Sequence, residues 1–217
     1  MNRSYYLIGL LVLTTGCQKA LSFRTTTESL NIVVDGQSNG ALVSSLQLTR
    51  AFNAAGVASV NVTNIAVPST ALSDHKQGGY LYAPTIDAVK AARPNIYIWW
   101  QGETESQPWA ATSYTYAQDF RQFVKELRAE GGPFTVIYVK LSANSLYAST
   151  PAGQNVRDQQ QTLQGDPSII QVTVDDIDPA DNHIHFSPEQ IQIVVNRIAM
   201  AYGSRITVVK NLRGDYE

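Results

Sequence analysis

The sequence of 217 residues has few cysteines, few charges and no long apolar run. Cys17 is its single cysteine, so a disulfide within the chain is excluded, as is a zinc site built on several cysteines. Charged residues make up 16% of the chain, and 16 basic against 18 acidic residues leave a net charge of −2. No basic run stands out, so charge gives no support for nucleic-acid binding. The apolar run from Leu7 to Leu13 is too short to span a bilayer.

The first 17 residues have the features of an export signal rather than of a folded domain. Arg3 supplies positive charge before the apolar run, and Thr-Thr-Gly-Cys follows it at 14–17. This segment resembles a bacterial lipoprotein signal, in which Cys17 becomes the lipidated first residue, although Thr14 stands where Leu is usual. The alternative is an ordinary secretory signal cleaved nearby. Both interpretations predict export to the bacterial outer membrane or periplasm, with a polar tether at 18–29 and one domain at 30–217.

The segment NIVVDGQSNG at 31–40 combines a strand with a tight turn into a helix. Residues 32–34 form a continuous apolar run, which is typical of a strand buried on both faces. Helical spacing of apolar residues begins near Asn39. Ser38 is therefore predicted to lie at the carboxyl end of a strand, where open α/β sheets bind ligands. Two roles remain open for it here, a nucleophile and a plain helix N-cap.

Strand-like and helix-like segments alternate along the rest of the chain. This pattern predicts a three-layer α/β/α sandwich with a central, mainly parallel five-stranded sheet. Further strands are predicted at Ala58–Val67, Asn95–Trp100, Phe134–Leu141 and Ile169–Val174. Helices are predicted at Pro84–Ala92, Tyr114–Ala129, Asn155–Gln164 and Pro188–Met200, with a short terminal strand or a tail at Ile206–Val209.

Three polar stretches are expected at one edge of this sheet. They are GQSN at 36–39, WWQGE at 99–103 and DNHIHF at 181–186. Together they offer a hydroxyl, an amide, carboxylates and an imidazole, which is the set that a serine esterase needs. In such an enzyme the imidazole takes the serine proton, a carboxylate orients the imidazole, and amide donors stabilise the oxyanion.

GQSN after a buried strand, W-x-QGE after a central strand and a late HF before a helix resemble the motifs of the SGNH hydrolases. The branch most similar in these motifs is the sialate O-acetylesterase-like and acetylxylan-esterase-like group, carbohydrate esterase family 6. The resemblance extends over about residues 30–202. It implies an SGNH fold and a serine esterase that removes O-acetyl groups from sialic acid, xylan or a similar glycan, with no cofactor. Ser38 matches the family nucleophile, Gln101 the oxyanion-hole amide and His185 the catalytic histidine.

Two positions depart from the family pattern. The family usually has a glycine after the second strand, and Ser69 is the candidate for its place, because a backbone N–H survives a change from glycine to serine. The family also tends to have Asp three residues before the histidine, where this chain has Asn182. Asp181 is the preferred carboxylate partner of His185 and Glu103 the second candidate. Asn182 can orient the ring but cannot stabilise its charge.

The remaining predictions concern the walls of the site. The groups assigned to the oxyanion hole are the backbone N–H groups of Ser38 and Ser69 and the side-chain amide of Gln101. The residues assigned to substrate binding are Gln37, Asn39, Trp100 and Trp109. Trp109 is expected to stack on a sugar, whereas Trp100 also fits a position in the core. His75, in an Asp-His-Lys stretch, is expected to be a solvated loop residue.

Two other classes of function stay open. One is a non-catalytic, carbohydrate-binding surface lipoprotein on the same fold. Asn182 is the reason to consider it, because an amide in place of the usual carboxylate would weaken the triad. The other is a lipase or thioesterase, although a long apolar lid segment is missing from the sequence. For the main interpretation the expected partners are an acetylated carbohydrate and, through the lipid on Cys17, a membrane.

Overall fold

A computed structural model of the protein describes the backbone of residues 26–212 and the side chains of residues 29–204. The predicted signal, Cys17 and residues 18–25 of the predicted tether lie outside this part. The five strands are all parallel, in the order β2-β1-β3-β4-β5, which confirms the predicted fold class. They are β1 (Thr26–Gly36), β2 (Val57–Asn64), β3 (Ile96–Trp100), β4 (Thr135–Val139) and β5 (Ile169–Val172).

Helices cover both faces of the sheet. Those of the described part are α1 (Ser38–Ala41), α2 (Ser45–Ala54), α3 (Leu72–His75), α4 (Tyr82–Ala92), α5 (Tyr116–Gly131), α6 (Pro151–Gln161) and α7 (Pro188–Leu212), with 3-10 turns at Ala111–Tyr114 and Thr162–Gly165. Apolar residues of α2 and α7 pack on one face of the sheet, and those of α4, α5 and α6 on the other. Within the described residues, no helix has the combined length and apolarity needed to cross a membrane.

The central strands are buried on both faces because their side chains alternate between the two helical layers. Ile32 and Val34 pack in the cluster formed with α2 and α7, whereas Val33 packs in the opposite cluster. Every residue of β3 is buried as well. The continuous apolar runs of the sequence therefore indicated these strands correctly.

Two segments differ from their predicted structure. Strand β1 begins at Thr26, so residues 26–29 of the predicted tether belong to the sheet, where β1 pairs with β2. Helix α7 continues to Leu212, so the prediction of a strand or tail at Ile206–Val209 is wrong. The β-branched residues there favour a strand locally. An existing helix nevertheless extends easily, because each added residue gains one backbone hydrogen bond without a new nucleation cost.

The order in which strands are added to the sheet changes direction between β1 and β3. From β1 the chain adds β2 on one side, and it then adds β3, β4 and β5 on the other side. Gly36 and Trp100 pair at the carboxyl ends of these strands, and Gln37 N donates to Trp100 O at 3.0 Å. Gly36 has φ +117°, and a Cβ atom there would lie 2.2 Å from Trp100 O, so only glycine permits this close approach. The segments that begin with Ser38 and Gln101 therefore open at a topological switch point, where α/β sheets bind ligands.

Candidate active site

Ser38, His185 and Asp181 form a row at the carboxyl edge of the sheet. The Oγ atom of Ser38 lies 3.1 Å from His185 Nε2. On the other side of the ring, Nδ1 lies 3.3 Å from Asp181 Oδ2. One imidazole thus joins a hydroxyl to a carboxylate, which is the arrangement of a serine–histidine–carboxylate triad.

The hydroxyl of Ser38 does not cap a helix. Gln37 holds the N-cap position of α1, and Ser38 is the first helical residue. Its Oγ is directed to His185 instead. Of the two roles that the sequence left open, the geometry therefore favours the nucleophile.

The loop that carries His185 also brings Asp181 to it. The two residues exchange backbone hydrogen bonds of 3.1 and 3.2 Å as an isolated antiparallel bridge. Between them, Asn182 and His183 both adopt left-handed backbone conformations, with φ +48° and +55°. Asn is among the residue types that tolerate this region best. The tight reversal turns the Asp181 carboxylate back toward the ring.

Asn182 and Glu103, the other two candidates for the partner of His185, form no hydrogen bond with its imidazole among the described residues. The Asn182 amide donates to Asp181 Oδ1 at 3.0 Å and so orients the carboxylate rather than the ring. Glu103 Oε1 accepts a hydrogen bond of 2.7 Å from Asn39. Among the described residues, no hydrogen bond joins Glu103 to His185. Which carboxylate supplies the charge during turnover stays a prediction.

Asn39 holds the histidine loop in place and is not a substrate contact. Its side chain is fully buried, donates to Ile184 O at 3.0 Å and accepts from Phe186 N at 3.2 Å. These two backbone groups flank His185. The assignment of Asn39 to substrate binding is corrected, because the residue is buried and its amide nitrogen and oxygen are both hydrogen-bonded inside the protein.

Glu103 and Glu105 are two buried carboxylates beside the nucleophile turn. Burial raises the pKa of Glu103, partly offset by hydrogen bonds and by the nearby His185. Its Oε2 is buried without a hydrogen-bond partner in the described part of the chain. Burial raises the pKa of Glu105 to about 6. Perturbed carboxyl groups of this kind gather at functional sites, and the sequence patterns singled out only the first of the two.

The structure places Gln101 behind the site, not in it. Its Nε2 donates to Glu105 and lies 3.3 Å from both Gln37 Oε1 and Thr70 O, while its Oε1 accepts from Tyr116 at 2.9 Å. The residue is 1% exposed. The expected oxyanion donor is therefore turned away from Ser38 in this arrangement. The buried carboxylate of Glu105 is a strong acceptor for one amide N–H group, and Gln37 Oε1 and Thr70 O lie near the amide nitrogen as further acceptors.

Ser69 and Gln37 do face the site. Ser69 has φ +63°, in the left-handed region that favours glycine, which agrees with its being the candidate for the family's usual glycine. Such a conformation costs a non-glycine residue of order 1 kcal/mol. The Oε1 atom of Gln37 accepts from Thr104 N and Oγ1 at 3.3 and 3.1 Å. Its amide nitrogen has no acceptor among the described residues and is available to a ligand.

His75 is fully buried, so the expectation of a solvated loop residue is wrong. Its Nε2 lies 2.9 Å from Thr70 Oγ1, and its Nδ1 lies 3.2 Å from Asp35 Oδ1, off the line of a hydrogen bond. The ring packs edge-on against Trp99 at 5.1 Å. Asp35 is the next-to-last residue of β1 and Thr70 follows Ser69, so the imidazole connects the nucleophile strand to the Ser69 loop. The one-turn helix α3 directs it inward, which the polar Asp-His-Lys stretch did not indicate.

A cavity of about 290 Å³ lies over the triad. Its lining residues are Gln37, Ser38, Ser69, Glu103, Thr104, Gln107, Ser145, Tyr147, Ile184 and His185.

Trp100 is 2% exposed and packs on Phe186, because β3 directs its side chain into the core at this position. Its assignment to substrate binding is therefore corrected. Trp109 is 73% exposed, with its ring 6.1 Å from that of Tyr147. Among the described residues, no cluster of three His, Cys, Asp or Glu side chains could hold a metal ion.

Comparison with known structures supports the fold. A protein from Arabidopsis thaliana has a TM-score of 0.69 at 15% identity, covering 81% of this chain and 98% of its own. A carbohydrate acetylesterase from Xanthomonas citri has a TM-score of 0.58 at 15% identity, covering 82% of this chain and 51% of its own. A family 3 carbohydrate esterase from Talaromyces cellulolyticus has a TM-score of 0.60 at 12% identity, covering 83% and 98%. Likeness at such low identity establishes the fold alone.

Comparison of the sequence identifies the family. No curated protein matches the chain significantly. The model of a family described as "Carbohydrate esterase, sialic acid-specific acetylesterase" matches residues 16–204. This match spans most of the chain and confirms the resemblance carried by GQSN and WWQGE. The chain belongs to the family of carbohydrate esterases described as sialic acid-specific acetylesterases.

Proposed function

We propose that the protein is an active serine esterase that removes O-acetyl groups from a carbohydrate. The observation that carries the proposal is the row Ser38–His185–Asp181, with the hydroxyl 3.1 Å from the imidazole. Membership of an acetylesterase family supports the same reaction. The cavity of about 290 Å³ over the hydroxyl is lined mostly by polar side chains, which suits an acetyl group on a sugar better than a long apolar acyl chain.

In the proposed reaction Ser38 Oγ attacks the ester carbonyl while His185 Nε2 takes its proton. The imidazolium then protonates the leaving sugar oxygen, and an acetyl-serine remains. Water, deprotonated by His185, attacks the acetyl carbon, and the bond from that carbon to Ser38 Oγ breaks. The imidazolium returns its proton to Ser38 Oγ, and acetate is released. Asp181 holds the Nδ1–H tautomer of the ring and stabilises its positive charge in both steps.

Backbone N–H groups of Ser38 and Ser69 stabilise the oxyanion in this proposal. Ser38 begins α1, so its N–H has no partner within that helix. Ser69 lines the same cavity, as does the amide of Gln37. We assign the third donor to Gln37 in place of Gln101, because the Gln101 amide is held by Glu105.

The full-length protein, kept in detergent, is expected to release acetate from p-nitrophenyl acetate and from acetylated xylan. Activity is expected to fall from acetyl to butyryl to octanoyl esters, because the mostly polar cavity wall offers a long apolar chain little to pack against. A folded protein without acetate release would favour the non-catalytic, carbohydrate-binding alternative. A preference for the octanoyl ester would favour a lipase.

We also propose that the protein is exported and lipidated at Cys17, on the basis of the apolar run before its single cysteine. In a bacterial host, labelled palmitate is expected in the wild type and not in Cys17→Ala. The variant is also expected to lose the mature, membrane-bound form. An unlabelled wild type that is still exported would indicate ordinary secretory cleavage instead.

A further inference from the structure

A second row of hydroxyl, imidazole and carboxylate lies beneath the site, and the proposed reaction does not use it. His75 Nε2 lies 2.9 Å from Thr70 Oγ1, and His75 Nδ1 lies 3.2 Å from Asp35 Oδ1. All three residues of this buried row are at most 1% exposed, and none of them lines the cavity over the triad. Any effect of the buried row on the reaction must therefore pass through other residues.

The carboxylate end of the buried row is fixed to the strand that carries the nucleophile. Asp35 is the next-to-last residue of β1, three positions before Ser38. Its Oδ1 accepts from Gly36 N at 2.7 Å, and its Oδ2 accepts from the hydroxyl of Tyr97 on β3. Burying a carboxylate costs free energy unless hydrogen bonds compensate, and here the central strands supply them. Asp35 thus gives the imidazole a fixed point next to the nucleophile turn.

The hydroxyl end of the buried row is fixed to the loop that carries Ser69. Among the described residues, Ser69 itself makes no hydrogen bond, although its φ of +63° is a strained conformation. Such strain persists only where the surroundings hold it. Thr70 follows directly, and its Oγ1 donates to Val67 O at 2.8 Å, across the strained residue. The same hydroxyl contacts the imidazole, so His75 and Val67 together fix the backbone on either side of Ser69.

The far end of the same loop is held separately. The backbone N–H of Leu72 donates to the carboxylate of Glu105, which is 1% exposed. The loop is therefore expected to keep its path beyond residue 70 when the contact between Thr70 and His75 is removed. Loss of that contact releases the part of the loop next to Ser69 and leaves the remainder anchored.

We infer that His75 is a positioning residue of the proposed esterase, which sets the spacing between two oxyanion donors. These donors are the backbone N–H groups of Ser38 and Ser69. Asp35 anchors the imidazole beside the first donor, and Thr70 carries its position to the second. The inference rests on the proposed function and adds the residues behind the oxyanion hole. Preorganised donors stabilise the transition state more than the bound ester, so the buried row should affect kcat and leave KM nearly unchanged.

The hydroxyl is tested in the full-length protein with Thr70→Val, which retains a side chain of similar size. Its kcat on p-nitrophenyl acetate is expected to fall about tenfold at nearly constant KM, because a displaced donor costs less than the roughly 10²- to 10³-fold of a removed one. Thr70→Ser retains the hydroxyl and should recover most of the wild-type kcat. Thr85→Val is the matched control, since Thr85 is 3% exposed on α4 and does not line the cavity. The control should keep the wild-type kcat.

The strain at Ser69 distinguishes positioning from a purely structural role. Glycine adopts a φ of +63° without strain, so it needs no hold from its neighbours. The double variant Ser69→Gly with Thr70→Val is therefore expected to have a higher kcat than Thr70→Val alone. The gain is about fivefold at most, which is the factor expected for the strain of one left-handed residue. An unchanged or lower kcat in the double variant would contradict the inference.

The imidazole is tested with two amides, each of which replaces one ring nitrogen. His75→Gln places an amide nitrogen near the position of Nε2 and keeps a partner for Thr70. His75→Asn places it near the position of Nδ1 and loses that partner, so its kcat should fall as far as that of Thr70→Val. Because both residues act through one contact, the double variant His75→Asn with Thr70→Val should be little slower than either single variant. Losses that multiply would contradict the inference. If the His75 variants do not fold, the Thr70 variants decide.

The esterase proposal and this inference fail in different ways. If the folded wild type releases no acetate from p-nitrophenyl acetate, the esterase proposal fails and the inference falls with it. If the wild type is active and Thr70→Val shows only a lower melting temperature, the buried row serves stability alone and only the inference is overturned. A loss of kcat at constant KM, together with recovery in the glycine double variant, supports both.

Discussion

Ser38→Ala and His185→Ala are each expected to lower kcat on an acetyl ester by about 10⁴- to 10⁶-fold, as for other serine hydrolase triads. Without the hydroxyl no acyl-enzyme can form, and without the imidazole the hydroxyl keeps its proton. Because the two groups act in one step, the double variant should be little slower than either single variant. Initial rates on p-nitrophenyl acetate measure all three, with a thermal melt to verify folding.

A fluorophosphonate probe identifies the nucleophile independently of turnover. It is expected to label the wild type and to leave Ser38→Ala unlabelled. Ser149→Ala is a suitable control, because Ser149 is exposed and does not line the cavity. Labelling that persists in Ser38→Ala would assign the nucleophile to another serine, and a fully active Ser38→Ala would contradict the triad.

Asp181→Ala is expected to lower kcat by about 10²- to 10⁴-fold, a range set by general-base contributions and by the loss of a triad carboxylate. The upper value corresponds to about 5.4 kcal/mol of barrier at 1.36 kcal/mol per decade. The carboxylate lies 3.3 Å from His185 Nδ1, where it selects the tautomer and stabilises the imidazolium. Its exposure to solvent favours the lower part of the range, since water screens the charge.

Two matched variants distinguish Asp181 from its neighbours. Asn182→Gly removes the amide but retains the left-handed backbone, and a loss below about tenfold is expected, because the amide only orients the carboxylate. Glu103→Gln preserves the acceptor for Asn39. Glutamine has the size of glutamate, and Glu103 makes no hydrogen bond to His185 among the described residues, so the substitution should cost little. A collapse in Glu103→Gln beside near-normal turnover of Asp181→Ala would assign the charge to Glu103. Normal turnover in both would indicate a serine–histidine dyad.

The sheet could be predicted from the sequence because its causes are local. Strands that are buried on both faces need unbroken apolar runs, and residues 32–34 and 96–100 show them. Alternation of strands with helices then restricts the sheet to a parallel arrangement with its strands' carboxyl ends at one edge. Ser38 and the QGE and HF motifs therefore had to lie near one another, whatever the details of the loops.

The loop around His185 could not be predicted in the same way. Asp181 stands one residue from the family position, and it reaches the ring only because Asn182 and His183 both adopt left-handed conformations. No sequence pattern predicts two successive left-handed residues. This backbone conformation differs little in energy from its alternatives, and the hydrogen bonds between Asn39 and the neighbours of His185 stabilise it.

The fold class, the motif family and the sheet edge where polar groups gather follow from the sequence alone. Which of those groups face the cavity depends on long-range packing. Gln101, Asn39 and Trp100 are buried away from the cavity, while Gln37 lines it and His75 is buried beneath the loop. The cause is competition, because each polar group takes the strongest partner within reach, here Glu105 for Gln101 and Glu103 for Asn39. Those partners are set by packing among segments far apart in the chain.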